Sequence, residues 1–127
     1  MSFTARVTKT VTEGSMSITN SNSYVVETSY KMQEVVPDAT TNKQLFFAID
    51  ISALKVFSMQ STQDMTVYTN DAGTGTPQET FVLLADQPII FETGIDSAIF
   101  AGDVTSIYVT NASGTDGSLN VIAAIDA

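Results

Sequence analysis

The chain has no cysteine, no histidine and no tryptophan in its 127 residues. Without thiols, disulfides, thiolate nucleophiles and zinc–thiolate centres are ruled out. Without imidazole, the commonest general base near neutral pH and the commonest transition-metal ligand are missing too. Basic residues are few: Arg6, Lys9, Lys31, Lys43 and Lys55 are the complete set, and none follows position 55. No apolar run approaches the ~20 residues that cross a bilayer, so no membrane partner is expected. The opening MSFTARVTKTVTEGS lacks the continuous apolar segment of a secretory signal, which points to a soluble protein made in the cytoplasm.

What is present is an acidic polypeptide able to fold. Apolar residues make up 43% and charged residues 15%, a balance that favours a packed core over disorder. One domain is expected at this length, burying roughly two thirds of its unfolded surface. The net charge of −9 is unevenly placed. Residues 1–63 hold five acids against five bases. Asp64, Asp71, Glu79, Asp86, Glu92, Asp96, Asp103, Asp116 and Asp126 follow with no base among them. Direct nucleic-acid binding is not expected, since it draws on Lys and Arg. The acidity serves solubility, or it offers a surface that the basic N-terminal segment of a neighbouring copy or partner meets.

Alternation of apolar and polar residues dominates, which predicts half-buried strands. Phe3, Ala5, Val7 and Val11 occupy odd positions until Glu13-Gly14-Ser15 breaks the run; Tyr24, Val26, Thr28, Tyr30 and Met32 then occupy even ones. VVPDATTNK reads as a loop, and QLFFAI as a strand covered on both faces. NDAGTGTPQ is a loop by its Gly, Pro and Asx content. TFVLL and PIIFE are two short strands joined across Ala85-Asp86-Gln87, with Pro88 at a permitted strand start. TGIDSAIFAGD is irregular, with room for a helical turn. SIYVTN, ASGTDGS and LNVIAAI suggest a closing hairpin. No long helical periodicity competes, so the expected fold is all-β: an antiparallel β-sandwich, jelly-roll-like, of eight to ten short strands.

One phrase occurs twice. DISALKVFS, from Asp50, and DVTSIYVTN, from Asp103, share an acid, a β-branched residue, small or hydroxylated residues and an alternating apolar pair. Leu54 and Val56 correspond to Ile107 and Val109; beyond a polar turn, Met65 and Val67 correspond to Leu119 and Val121. Each unit reads as a bend followed by a hairpin. The bend is closed by Asp50 or Asp103 and by Ser52 or Thr105 accepting nearby backbone N–H groups. Two such units face each other across a sandwich or pair within a sheet. A catalytic use of either Asp needs a nucleophile and a polarising group, and the neighbouring sequence supplies neither.

Other candidate sites read as structure. Gly73 and Gly75 lack the Gly-Lys-Ser/Thr and following helix of a phosphate loop. Asp71, Asp96 and Asp103 do not form the closely spaced ladder of a calcium loop. Asn111-Ala112-Ser113, formally a glycosylation acceptor, reads as a turn, and no carboxylate pair stands out for glycoside hydrolysis. No catalytic residue, metal ligand set or cofactor is assigned. The aromatic residues default to core packing, with subunit contact as the alternative.

AIDISALKVFSMQSTQDMTVYTND, FVLLADQPIIFETG and FAGDVTSIYVTNASGTDGSLNVIAAIDA together resemble small virion proteins of tailed bacteriophages, over roughly the last 80 residues. The resemblance implies a β-sandwich on the capsid surface: a decoration (cement) protein, usually trimeric, that binds the major capsid protein, bridges neighbouring capsomers and is not an enzyme. A tail, fibre or receptor-binding module is the alternative. The N-terminal stretch falls outside the resemblance. SFTARVTKTVT carries two positive charges and no negative ones, which suits a strand that adds to a neighbour's sheet edge. On that reading residues 1–15 are an N-terminal strand or arm, with Phe3, Arg6 and Lys9 as partner-binding residues, and 16–127 are the sandwich. The rival is an ordinary first strand of that sandwich.

Overall fold

In the computed structural model, residues 2–126 are described, and alternating patterns build ten strands with no helix among them. They are β1 Phe3–Glu13, β2 Met16–Val26, β3 Thr28–Val36, β4 Thr40–Leu45 and β5 Leu54–Ser61. β6 Met65–Thr69, β7 Thr80–Leu83, β8 Ile89–Glu92, β9 Ile107–Asn111 and β10 Gly117–Ile125 follow. Two four-stranded antiparallel sheets, β3-β10-β5-β8 and β4-β9-β6-β7, face each other as a sandwich. β1 and β2 form a separate two-stranded sheet.

The core lies between the two larger sheets. Phe57 and Met59 of β5 and Leu119, Val121 and Ala123 of β10 meet Val67 of β6, Leu83 of β7 and Ile107 and Val109 of β9. Phe100, from the irregular segment after β8, packs edge-on against Phe57 and Phe81. Each fully buried side chain of this size contributes about 1.5–3 kcal/mol. All seventeen buried residues of this cluster come from residues 36–123, so the sandwich does not depend on β1 or β2.

The echoing segments are arches, not hairpins. β5 and β6 lie in opposite sheets, and so do β9 and β10. The units interlock strand for strand: β5 pairs with β10, and β6 with β9. Side-chain bonds inside each short loop carry the chain from one sheet to the other. Ser61 Oγ donates to the Gln63 carbonyl at 2.6 Å, and the buried Asn111 amide donates to the Val36 and Thr115 carbonyls at 2.9 Å. The same correction applies to TFVLL and PIIFE, whose strands β7 and β8 sit in opposite sheets.

The correspondence of letters also slips. In the sheets, Val109 sits opposite Val67, while Val121 sits opposite Met59 and not Val56. A bulge opposite Ala124/Ile125, with Lys55 as the extra residue, sets the face of Val56: one extra residue reverses the side-chain direction along the strand. Val56 therefore faces outward, whereas Leu54 and Phe57 face the core. Asp50 behaves as expected, its Oδ1 accepting the Ser52 N–H at 3.0 Å and hydroxyl at 2.6 Å. Asp103 instead accepts the Ile51 N–H of the other unit at 3.1 Å, beside an Ile49–Val104 bridge. Thr105 donates to Asn70. The two bends brace each other.

QLFFAI is not a strand covered on both faces. β4 ends at Leu45; Phe47 and Ile49 point inward, while Phe46 is 84% exposed. β4 is an edge strand, and its outer side has no covering layer. The even-numbered run Tyr24 to Met32 is likewise cut at Glu27, where the chain passes from β2 into the sandwich.

Candidate functional site

The N-terminal strand does not stand alone. β1 pairs with β2 from Phe3↔Val26 to Glu13↔Met16, and Gly14, at φ 59°, supplies the left-handed conformation that this two-residue loop needs. Antiparallel pairing sends the odd positions of β1 and the even positions of β2 to one face. That face lies on the outer side of the β3-β10-β5-β8 sheet. Val7 and Val26 are buried there against Val56 and Ala124, with Ala5, Tyr24 and Ile90 around them. The outward-turned Val56 is thus part of the seat.

A charged clasp holds the same contact. Glu92, at the end of edge strand β8, is fully shielded from solvent beneath the hairpin. Its Oε1 accepts the Asn22 amide at 3.0 Å and the Tyr24 hydroxyl at 2.9 Å. Its Oε2 meets the Lys9 ammonium at 2.8 Å. Asp96 accepts the Glu92 N–H at 2.9 Å and lies 3.9 Å from Lys9. The Lys9 ammonium, helped by Asn22 and Tyr24, holds the Glu92 carboxyl below its ordinary range against the opposing effect of burial. Glu92 in turn raises Lys9. The Tyr24 hydroxyl is raised by burial first, then by its bond to the carboxylate.

Past Lys9 the hairpin runs beyond the sandwich. Val11 and Ile18 face each other across the strands on the same face as Val7, yet they are 70% and 67% exposed, and Met16 is 68% exposed. The opposite face is a ladder of hydroxyls: Thr8–Ser21 at 2.8 Å, Thr10–Thr19 at 3.2 Å and Thr12–Ser17 at 3.0 Å. Such cross-strand pairs stiffen a ribbon that would otherwise be marginal. The distal hairpin is therefore a narrow blade, apolar on one side and hydroxylated on the other.

The three partner-binding candidates separate. Lys9 points toward the sandwich and is engaged by Glu92. Arg6 lies on the hydroxyl face, where its Nε donates to Ser23 at 3.4 Å. Phe3 stands 41% exposed beside a groove of about 440 Å³ between β1 and the sheet beneath. The tip residues Met16 and Ile18 were not singled out from sequence; their alternation with Ser17 and Thr19 was the signal available.

The other candidate sites fold in on themselves. Asp71 accepts the N–H groups of Ala72 and Thr76, both at 2.8 Å, which keeps its carboxyl below the usual range. A side chain at Gly75 would put a carbon 2.3 Å from that carboxylate. The loop's donors thus already face an internal anion. Asn111 is buried with its amide bonded within the loop. Among the described residues no group of three acids is placed to hold a metal ion, and no helix is long and apolar enough to cross a membrane.

No protein-family model matches the chain, and neither does any curated protein or solved structure.

Proposed function

We propose that the protein is a structural attachment module of a virion: a capsid decoration protein that binds the major capsid protein and other copies of itself, as a homotrimer bridging neighbouring capsomers. The observation that carries this reading is the hairpin blade, with Val11, Met16 and Ile18 held out past the sandwich. Exposed apolar clusters rimmed by polar residues mark protein contact sites. The stiff ribbon presents them at little ordering cost. One tip is small, but three on a trimer engage a lattice together, and linked weak contacts add up to firm attachment.

The strand orders β3-β10-β5-β8 and β4-β9-β6-β7 suit a jelly roll, an architecture used by viral capsid and lectin domains. That is an analogy of fold and supports the reading only in second place. Under this reading no residue has a catalytic role, and the chain resides on the outer capsid surface.

Counting this chain per major capsid subunit in purified particles is the direct test, with a ratio near one expected. A handful of copies per particle would move the protein to a tail or fibre and its blade to receptor binding. The double substitution Val11→Asp/Ile18→Asp, at exposed positions, is expected to leave the fold intact and lower particle occupancy at least tenfold.

A further inference from the structure

The groove beside β1 is bordered by six consecutive residues of that strand, Phe3 to Thr8, and by no residue of β2. Consecutive lining residues mean that the backbone edge of β1 forms the wall. Among the described residues β1 pairs with β2 alone, so alternate N–H and C=O groups on its other edge have no strand partner there. The floor is the outer face of the sandwich: Ile122 and Ala124 of β10, Ile90 of β8, Val56 and Ser58 of β5. Ile122 is 45% exposed there.

Charge selects what fits. The chain has fourteen acids against five bases, yet among the described residues the groove is lined by Arg6 and Lys31 and by no acid. Lys9 and Lys43 are in ion pairs. Arg6 and Lys31 have none among the described residues. Two unneutralised cations stand over an apolar floor beside an open strand edge.

We infer that this groove is a β-addition site for an extended acidic segment of a partner protein. The segment pairs with the free edge of β1 as a third strand of the hairpin layer. Its alternate apolar side chains face Ile90, Ile122 and Ala124. Its acidic side chains, on the other face, meet Arg6, with Lys31 on the far side of the groove. Six residues of strand span about 20 Å, the length of the wall. Main-chain bonds supply the attachment and the two cations choose the sign of the guest. A second β1 is a poor guest, because it brings Arg6 and Lys9, with Glu13 as its one acid, to a groove that already carries two cations. The inference is independent of what the blade binds.

The test uses the full chain and a capped hexapeptide, Glu-Val-Glu-Ile-Glu-Val, with two controls: lysine for every glutamate, and N-methylation of alternate residues in either register. The acidic peptide is expected to bind at least tenfold tighter than the lysine peptide, to weaken with added salt and to protect alternate amides of residues 3–8 from hydrogen exchange. At least one methylated register should lose binding. Arg6→Glu/Lys31→Glu should reverse the preference between the acidic and lysine peptides. Equal binding of both charges, protection confined to residues 11–18, or indifference to methylation in both registers overturns the proposal. So does self-association of the free chain that the double substitution abolishes, since the groove would then belong to a second copy.

Discussion

Glu92 reaches the outer face of its sheet because β8 alternates, and the same alternation sends Phe91 toward the core. In the sequence it was one acid among nine; its partners Asn22 and Tyr24 lie 70 and 68 residues away, beyond the reach of any local pattern. Replacing Glu92 by Gln removes the ion pair with Lys9 and is expected to weaken hairpin docking by about 1–3 kcal/mol. The pH dependence follows from the shifts. Glu92 binds protons less readily in the folded chain, so its contribution is complete above the ordinary value of about 4.3 and fades as pH falls through the lowered one. Lys9 and Tyr24 are raised, so theirs holds below their ordinary values of about 10 and fades as pH rises through the raised ones. Methyl resonances of Val7 and Ala124 should report acid release of the hairpin in the wild type. In Glu92→Gln that acid-side transition should vanish; the same acid-side transition in both proteins would contradict this account.

Strands were legible as elements where alternation was clean, as in β1, β6 and β10. Their partners were not. An arch and a hairpin have the same local signature, an apolar alternation interrupted by a short polar turn. The choice between them depends on whether the loop's side chains bridge two sheets or close one. The echo at Asp50 and Asp103 marked a real internal pairing, but a single bulge moved Val56 out of the core and under the hairpin. Val56 and Val109, aligned by sequence, should therefore respond differently. Val109→Asp buries a charge between the sheets and is expected to abolish cooperative unfolding. Val56→Asp should leave a cooperative thermal transition while making residues 3–26 sensitive to limited proteolysis. Equal loss of folding in both variants would refute the layered assignment.

At the scale of the whole molecule, a sandwich whose core takes no residue from β1 or β2 carries a hairpin as a third layer. Removing residues 2–26 is expected to leave the main thermal transition within a few degrees of its original position. It should also expose Val56, Ala124 and Ile90, read as increased binding of a hydrophobic dye; loss of all cooperative unfolding would show that the layer is part of the core. Removing residues 2–12 alone would strand β2 without its partner, a distinction invisible before the hairpin was seen. The amino-acid order by itself determined the fold class, because side-chain period is a local property of the backbone and two-residue alternation allows little else. It also determined the absence of thiol and imidazole chemistry, which is a matter of composition. Tertiary structure alone decided which strands share a sheet, which face Val56 takes, and that Lys9 is ion-paired within the chain while Arg6 and Lys31 have no ion pair among the described residues. Those outcomes are set by contacts between residues tens of positions apart, whose free energies no short window of sequence contains.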